Sequence, residues 1–585
     1  MPPAVISVAT RRPTSASGPD ATSRSTSSGR LFGVALGLTL LPLLVSGIAL
    51  VVDVGNSYLP TADYAYTELL TRDVGHHQVL TGLFSRQEWN HPGPALYYLL
   101  ALPYRLTGGA SIGLHLGALL INAAAIAGMA GIARRRGGTP LMLLTLVGCG
   151  LLVRSLGIEV VGNPWNCFMP LLPFGLFLLL TWTLTCGETW ALPVAAGVAS
   201  FCVQTHVGYA PMAIPLLVWG GVWAGVIARR AGRTRSLTRS LVLAAAVLVV
   251  MWLPPAIDEL MHSPGNLHRI ARYFQHPGES THSLGVGYGV VAGEFGLPPE
   301  WLTGARPPFG FVGDHLFAHS APPAVLLIPF LAAAVVLWRR RLREPSRLAA
   351  TTLLALGLGV LAVSRTIGRI SAYRLQWTWV LAMIACLVTV WTGWLLISAR
   401  RPQPGGRVLS RLCLVALTVL SGVNVISAIR AGDPQEYWTA VMGDLTPPAA
   451  AALPAGDGDV LVRYRSAAGH FIASGLVLGL ERRGIAARVD PDPASRFGAH
   501  RIHRRGPVQA VLTVLADAQV LSPPPGARLV SYTGTLSLEE LRRKEGRRQA
   551  LNAARTAGTI SAEEWIRRTT ELGVNDALAV ALTPD

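Results

Sequence analysis

Long apolar runs separated by short arginine-rich joints are the feature that most constrains how this chain can fold. A helix of about 20 apolar residues is long enough to cross the hydrocarbon core of a bilayer. Eleven apolar runs fall near residues 31–52, 111–133, 139–156, 167–185, 189–205, 207–228, 240–256, 322–338, 348–364, 376–398 and 408–427. Only 14% of the residues are charged, against about 25% in soluble domains. The sequence therefore predicts a polytopic α-helical membrane protein with about 11 transmembrane helices.

The arginines between the runs predict how the chain is oriented. They collect within residues 11–30, 134–136, 229–239, 339–347 and 400–411. Because cytoplasmic loops of membrane proteins are enriched in arginine and lysine, a cytoplasmic N-terminus places all of these groups on the expected side. The joints also account for the net charge of +18, so we expect no nucleic acid partner. The predicted location is the cell (plasma) membrane, in contact with its lipids.

This orientation divides the chain into three parts. Residues 1–30 are rich in Ser, Thr, Pro and Arg and are predicted to be a disordered cytoplasmic tail. Residues 31–427 would form the transmembrane domain, with outer loops at 53–110 and 257–321. Residues 428–585 have a soluble composition that predicts a small extracytoplasmic α/β domain. Its predicted strands are 459–464, 484–489 and 509–515, its predicted helix is 467–482, and charged helices are expected within 536–575.

The outer loop 53–110 is the densest polar cluster of the chain. Residues 94–107 within it number about 14 and carry tyrosines and an arginine, which favours an interfacial or re-entrant helix over a span. The acidic and basic residues of the loop include Asp53, Asp63, Glu68, Asp73, Glu88, Arg72, Arg86, His76, His77 and His91. Acids, cations and aromatic rings beside a bilayer indicate a site that handles a polar group carried by a lipid.

The joint 364–377 departs from the orientation trend, because it places Arg365, Arg369 and Arg374 on the outer side. A charge at the bilayer centre costs about 2.5–3.5 kcal/mol, and such residues are commonly functional. Arg365 and Arg369 are four residues apart, so a helix would aim both the same way. The planar guanidinium fits phosphate oxygens, which favours a phosphate-binding role. The alternative is that these side chains extend towards lipid head groups.

Three further residues on the predicted outer side are candidates for the site, and each also has a simpler structural explanation. Glu159 lies close to Asn163-Pro164-Trp165, where Asn-Pro alone would account for a turn. His206 joins two apolar runs and could equally be an interfacial histidine. Asp258 lies at the start of the loop 257–321, and a loop of this length is either a binding loop or a passive connector.

Patterns for disulfides and metals are weak. The six cysteines lie in or beside apolar runs without a CxxC pair, so neither a disulfide framework nor a zinc site is expected. The histidines show no HxH or HExxH spacing. No cofactor is predicted with certainty, and a divalent cation stays open as an alternative.

Four stretches of the outer loop follow one another in a recognisable order: 61–66, 68–73, 91–98 and 109–114. This order resembles the membrane glycosyltransferases of the GT-C fold, the group that contains protein O-mannosyltransferases and lipid A aminoarabinose transferases. Those enzymes have an Asp-Glu-x-Tyr acid motif, a helix ending near Gly-Asp, a Pro-Pro-Leu helix and a small-residue span. Residues 55–280 also resemble uncharacterised actinobacterial membrane proteins with NHPGP and QTHVGY elements.

The resemblance implies transfer of a sugar from a polyprenyl-phosphate donor to an envelope glycan, lipid or protein acceptor on the outer face. Asp63 matches the loop-one acid of the group, taken to be the general base. Glu68 and Asp73 are the other catalytic candidates. The substrate-binding candidates are Arg72, Arg86, His91, Glu159, His206, Asp258, Arg365, Arg369 and Arg374. Of these, Arg72, Arg86, Arg365 and Arg369 are the candidates for holding the phosphate.

The chain departs from the pattern of the group at four places. Tyr64 stands after Asp63 instead of Glu, and Gly93 replaces the second Pro of the Pro-Pro motif. The second-loop acid is represented only by Glu159 or the amide of Asn163. A Lys common after the fifth span is absent, with His206 nearby.

Two other classes of function stay open. A transporter or flippase of a lipid-linked sugar would carry charged or broken helices at mid-bilayer and internal repeats. The sequence shows no repeat, and its polar residues gather on one side of the membrane. A non-catalytic envelope scaffold that presents the outer tail would tolerate conservative replacement of Asp63.

Overall fold

A computed structural model describes residues 19–304, 324–400, 405–456, 458–491, 496–573 and 576–584. Each predicted apolar run overlaps a helix within these ranges. The helices up to residue 430 are α1 (Pro19–Ala49), α2 (Ala62–Asp73), α3 (Ala95–Leu106), α4 (Ile112–Leu156), α5 (Ile158–Val161), α6 (Leu171–Thr185), α7 (Ala191–Thr205), α8 (Ala210–Arg230), α9 (Thr234–Met261), α10 (Asn266–Gln275), α11 (Leu284–Gly293), α12 (Glu300–Thr303), α13 (Leu327–Arg339), α14 (Arg343–Ser364), α15 (Trp377–Arg400) and α16 (Gly405–Arg430).

Seven helices in the described ranges are long and apolar enough to cross a membrane. One of them, α4, turns at Gly138, whose φ of 69° is a conformation that glycine adopts readily. Its two arms carry the predicted runs 111–133 and 139–156. Three further runs lie on the shorter apolar helices α6, α7 and α13. The chain is therefore a multi-pass membrane protein, as the apolar runs predicted.

The arginine joints meet at one end of the helix bundle. Arg136, at the turn of α4, lies 3.3 Å from Glu188 and 3.2 Å from Glu344, which belong to two other joints. The Arg347 guanidinium stacks 5.9 Å from the Trp223 ring near the end of α8. The outer loops predicted from the sequence lie at the opposite end, here called the Asp63 end. Which end faces the cytoplasm stays a prediction from the arginines.

The first helix begins earlier than predicted. It starts at Pro19, so residues 19–30 are helical and the predicted disordered tail was wrong there. An established helix gains one hydrogen bond for each residue added, which lets it extend beyond its apolar part. Residues 1–18 lie outside the described residues, as do residues 305–321 of the second predicted outer loop. The rest of that loop contains α10, α11 and α12.

The C-terminal part contains a five-stranded sheet with the order β2-β1-β3-β5-β4. Its strands are β1 (Val460–Tyr464), β2 (Ala487–Val489), β3 (Ala510–Ala516), β4 (Arg528–Thr533) and β5 (Leu578–Pro584). Its helices are α17 (Glu436–Ala451), α18 (Ala467–Glu481), α19 (Leu538–Thr556) and α20 (Ala562–Leu572). β1 pairs in parallel with β2 and β3, whereas β5 runs antiparallel between β3 and β4. The three predicted strands are confirmed, and β4, β5 and α17 were not predicted.

Helix α2 of the outer loop packs against this C-terminal unit. Ala65, Tyr66 and Leu69 on α2 are buried in the same apolar core as Ile472 and Leu476 on α18. This burial fixes α2 between the membrane helices and the sheet. Asp63, in the first turn of α2, is thereby held at the boundary between the two parts.

Candidate active site

Asp63 opens into a cavity of about 440 Å³ at the Asp63 end of the bundle, here called the Asp63 cavity. Its cationic residues Arg86, Arg365 and Arg374 come from the outer loop and from the joint after α14. Its remaining walls are formed by histidines and aromatic rings, among them His91, His206, Trp89, Trp165, Tyr273, Phe274, Tyr373 and Trp377. A carboxylate, several guanidinium groups and apolar rings thus share one concave site, which suits a ligand with anionic and apolar parts.

The Asp63 carboxylate is held by the second outer turn. The Trp165 indole N–H donates a 2.9 Å hydrogen bond to Asp63 Oδ2. Burial raises the pKa of Asp63 above its ordinary value, while this hydrogen bond and the charges of Arg86 and Arg496 act in the opposite direction. A carboxylate with a raised pKa is a better proton acceptor than an ordinary aspartate, which is what a general base requires.

The same turn separates the Asp63 cavity from a second cavity. Asn163 donates to the Tyr64 hydroxyl at 2.9 Å and accepts the Trp165 backbone N–H at 2.9 Å. Burial is the main cause that raises the pKa of Tyr64 to about 12, so its hydroxyl stays protonated. Tyr64 and Asn163 face the second cavity, of about 590 Å³, which also contains Glu159. Glu159 therefore lies outside the Asp63 cavity, and Asn163 is the second-turn side chain bonded to the residue after Asp63.

His91 and His206 lie side by side in the Asp63 cavity, with ring centroids 4.6 Å apart. His91 Nδ1 accepts the Val207 backbone N–H at 3.2 Å, and His206 Nδ1 accepts that of Gly208 at 3.2 Å. Burial and the nearby Arg374 charge lower the pKa of His91 to about 3. Burial also lowers the pKa of His206. Both rings are therefore uncharged at neutral pH and can serve as hydrogen-bond partners, while the arginines supply the positive charge.

The joint after α14 differs from the predicted helix. α14 ends at Ser364, and Gly368 has a φ of 67°, which breaks the helical path. Arg365 and Arg374 line the Asp63 cavity, whereas Arg369 is exposed and is not part of its lining. The predicted common direction of Arg365 and Arg369 was wrong because no helix joins them.

Glu68 does not reach the cavity, contrary to the catalytic role predicted for it. Its side chain is fully buried and pairs with Arg482 of the C-terminal unit. It also accepts hydrogen bonds from Tyr104 Oη at 3.1 Å and Ser111 Oγ at 2.5 Å. A carboxylate with this many partners and no exposure connects α2, α3 and α4 to α18 and cannot exchange a proton with a ligand.

Asp73 is also engaged in a structural contact. Both of its oxygens accept from Arg501, at 2.7 and 2.8 Å, in a buried bidentate pair. Its neighbour Arg72 donates to the Glu481 carbonyl at 3.2 Å and lies outside the Asp63 cavity. These contacts attach the end of α2 to the C-terminal unit, so the predicted catalytic role of Asp73 does not fit its position.

Asp258 closes the start of α10. It accepts the Asn266 backbone N–H at 2.9 Å and lies 3.0 Å from His262. An acidic side chain at this place satisfies a free amide of the first helical turn. Asp258 therefore shapes the loop beside the cavity and is not one of the cavity residues.

One group of three metal-ligand types occurs among the described residues. Ligand atoms of Asp73, His77 and His500 lie within 4.8 Å of one another. However, Arg501 already occupies both Asp73 oxygens, and the two imidazole rings stack face to face at 3.6 Å. The Arg501 guanidinium, 2.7 and 2.8 Å from the two Asp73 oxygens, would repel a cation bound there. The three residues therefore fit a metal poorly.

Several residues of the site were not singled out from the sequence. Trp165 was read only as part of a turn, although its indole holds Asp63. Tyr273 and Tyr373 line the cavity, and the charge of Arg496 acts on Asp63 from outside it. The three residues lie 210 to 433 positions beyond Asp63 in the chain. The aromatic residue in the Asn-Pro-Trp turn was the one local signal, because an exposed turn seldom requires tryptophan.

Comparison with solved structures finds several that are similar to this chain. The crystal structure of ArnT from Cupriavidus metallidurans bound to undecaprenyl phosphate matches with a TM-score of 0.52 and 15% identity, over 84% of this chain and 95% of the other. Its apo state matches with a TM-score of 0.52 and 13% identity, over 88% and 96%. Arabinosyltransferase EmbB from Mycobacterium smegmatis matches with a TM-score of 0.31 and 11% identity, over 74% and 43%. No protein-family model and no curated protein matches the chain.

The likeness to ArnT shows the fold. The chain has the GT-C fold of the membrane glycosyltransferases, together with a small C-terminal sheet unit. This confirms the architecture that the order of motifs in residues 53–110 predicted. The activity is not shown by a likeness at this level of identity, since one fold can carry different functions.

Proposed function

We propose that this protein is a membrane glycosyltransferase that moves a sugar from a polyprenyl-phosphate donor to a hydroxyl group of an envelope glycan, lipid or protein. The observation that carries the proposal is the shared cavity of Asp63, Arg86, Arg365 and Arg374. A site of this chemistry can hold an anionic leaving group and an acceptor hydroxyl at once. ArnT, which has the same fold, binds undecaprenyl phosphate, and this supports a lipid-linked donor.

The proposed reaction uses Asp63 as general base. The acceptor hydroxyl oxygen attacks the anomeric carbon of the donor sugar and forms the new glycosidic bond. The bond between that carbon and the phosphate oxygen breaks, and its electron pair leaves with the polyprenyl phosphate. The hydroxyl proton passes to the Asp63 carboxylate, whose raised pKa favours its uptake.

The arginines stabilise the charge that develops on the departing phosphate. Guanidinium groups form bidentate hydrogen bonds to phosphate oxygens, and their effect is larger in a partly buried site than in water. Arg365 and Arg374 belong to one joint, and Arg86 approaches from the outer loop. His91 and His206 add hydrogen-bonding groups without a net charge. The aromatic rings provide apolar surface for the sugar or the isoprenoid chain.

The arginine joints support an orientation with the Asp63 end outside the cell and the N-terminus in the cytoplasm. In this orientation the cavity and the C-terminal unit face the envelope, where both the donor sugar and the acceptor would be available.

The experiment compares a deletion strain complemented with wild-type protein, Asp63→Asn or Glu436→Gln at equal expression. Glu436 is an exposed carboxylate at the start of α17 and serves as the control. Envelope glycans and lipid-linked sugars are measured by mass spectrometry. We expect Asp63→Asn to lose one glycan and accumulate its lipid-linked donor, while Glu436→Gln restores the wild-type profile. Full restoration by Asp63→Asn would overturn the role of Asp63, and an unchanged deletion strain would favour the scaffold alternative.

A further inference from the structure

A basic groove lies beside the attachment of α2 to the C-terminal unit. It consists of two adjoining cavities of about 770 and 500 Å³ that share His77, Arg488 and His500. We call these two cavities the arginine groove. Among the described residues, seven arginines and three carboxylates line it. Anions are therefore favoured over cations in this groove.

The carboxylates of the groove are already engaged by part of its arginines. Asp73 and Glu481 pair with Arg501, and Asp459 pairs with Arg488 at 2.8 Å. Arg482 pairs with Glu68 and Arg72 lies 3.9 Å from Glu481, which leaves Arg105, Arg504 and Arg505 with charge available for a ligand. Arg504 and Arg505 are exposed on the C-terminal unit, and Arg105 is exposed at the end of α3. Cations thus border the groove from both parts of the molecule.

Membrane topology does not account for these arginines. Arg105 lies just before the first arm of α4, which begins at Ile112. The arginine joint 134–136 lies near the other end of that arm. About 25 helical residues span roughly 37 Å, so the two positions lie at opposite ends of the bundle. The positive-inside trend explains the joint, and the charge of the arginine groove requires a different reason.

The arginine groove and the Asp63 cavity both adjoin a third cavity. This smaller cavity of about 200 Å³ shares Gln78 and Ala499 with the groove and shares Phe84 with the Asp63 cavity. Arg496 lies along this passage, with its guanidinium 4.2 Å from the Phe84 ring. The cavities therefore lie in a row along the boundary between residues 77–90 and 496–505, from a basic outer surface towards the proposed catalytic carboxylate.

We propose that the arginine groove binds a linear anionic envelope polymer with phosphodiester or carboxylate groups, and that this polymer is the acceptor. The role of the polymer as acceptor rests on the proposed glycosyltransferase function. The binding of the polymer to the groove does not depend on that function. A polymer that lies in the groove can extend a terminal hydroxyl through the passage to Asp63. Guanidinium groups recognise both anions in the same bidentate manner.

The test measures binding of a fluorescently labelled glycerol phosphate hexamer to the full chain in nanodiscs of phosphatidylcholine. The variants are Arg504→Gln/Arg505→Gln on one side of the groove and Arg105→Gln on the other. Arg542→Gln/Arg547→Gln is the control, because it removes the same charge from the exposed face of α19. We expect the double groove variant to bind about tenfold more weakly, Arg105→Gln to bind less tightly than wild type, and the control to match wild type. Binding should weaken with added salt, and a neutral glucose hexamer should not bind.

Equal affinity in the groove variants and the control would overturn the proposal. Binding of phosphatidylglycerol nanodiscs that depends on these arginines, without binding of the hexamer, would also overturn it and assign the groove to lipid head groups. The Asp63→Asn variant should bind the hexamer like wild type. If the proposed transferase function is wrong, the hexamer will bind but no sugar will be transferred. If the present proposal is wrong, the hexamer will not bind.

Discussion

The Trp165 indole N–H donates to the Asp63 carboxylate at 2.9 Å, which joins the second outer turn to the first turn of α2. The two residues are 102 positions apart, and each belongs to a different outer segment. The bond orients the carboxylate towards the cavity and stabilises its charged form. It also makes the pKa of the proposed base dependent on a residue that carries no charge of its own.

Replacement of Trp165 by Phe tests this dependence. The indole hydrogen bond lowers the pKa of Asp63 against the larger effect of burial, so its loss raises that pKa further. Because the base must be deprotonated, activity disappears as the pH falls through its pKa. We expect the acidic limb of the kcat/KM profile for sugar transfer to move to higher pH in Trp165→Phe.

Trp89→Phe is the matched control for this measurement. Trp89 lines the same cavity, and its indole N–H has no hydrogen-bond partner among the described residues. Its replacement removes a comparable ring without removing a bond to Asp63. An acidic limb that moves equally in both variants would show that the shift comes from the loss of ring volume and not from the loss of the hydrogen bond.

Arg365 and Arg369 provide a matched pair for the phosphate site. Both are exposed arginines of one joint, but Arg365 lines the Asp63 cavity and Arg369 does not. A hydrogen bond to a charged group contributes about 1.5–3 kcal/mol, which is roughly a 10- to 100-fold effect. We expect Arg365→Gln to lower kcat/KM for the lipid-linked donor by this factor, and Arg369→Gln to leave it within about twofold, as surface changes usually do. Equal kcat/KM values for the two variants would contradict the assignment.

The buried pair of Asp73 and Arg501 should stabilise the molecule and leave the chemistry unaffected. Removal of one partner from a buried ion pair costs about 3–5 kcal/mol, because the other charge is left without compensation. Asp73→Asn should therefore lower the unfolding temperature of the purified protein. Arg463→Met breaks the exposed pair with Asp490 and should cost less than about 1 kcal/mol.

The specific activity of the folded fraction shows whether Asp73 has a structural or a catalytic role. We expect it to remain close to wild type in Asp73→Asn at saturating acceptor, once the unfolded protein has been removed. A stable Asp73→Asn protein without activity would return Asp73 to the catalytic candidates.

The membrane helices could be predicted because their signal is local. Each apolar run contains within itself the reason for its helix, since only a hydrogen-bonded backbone is stable in lipid. The failures occurred where the signal was not local. The four-residue spacing of Arg365 and Arg369 predicted a helix in their joint, yet α14 ends at Ser364. Strand β5 is an apolar run whose place between β3 and β4 is decided by partners distant in sequence.

The site was predictable only at its centre. Asp63 was identified by the order of motifs around it, and Arg86, His91, His206, Arg365 and Arg374 share its cavity. Glu68 and Asp73 have the same local appearance as Asp63. Their partners Arg482 and Arg501 lie more than 400 residues away, so the sequence offered no means of telling these paired carboxylates from the one that lines the cavity.

His91 should make the stability of the protein depend on pH. Its pKa is about 3 in the folded protein, against an ordinary value of 6.5, so the unfolded state binds the proton more readily. The stabilisation is complete above pH 6.5 and is lost as the pH falls towards 3, by up to about 1.4 kcal/mol per pH unit. We expect the unfolding temperature to fall between pH 7 and pH 5, and to fall less in His91→Gln, which lacks the titrating ring. His276→Gln, at an exposed position, should retain the wild-type slope. Identical slopes in His91→Gln and wild type, measured by thermal unfolding in buffered detergent, would show that His91 is not buried in its neutral form.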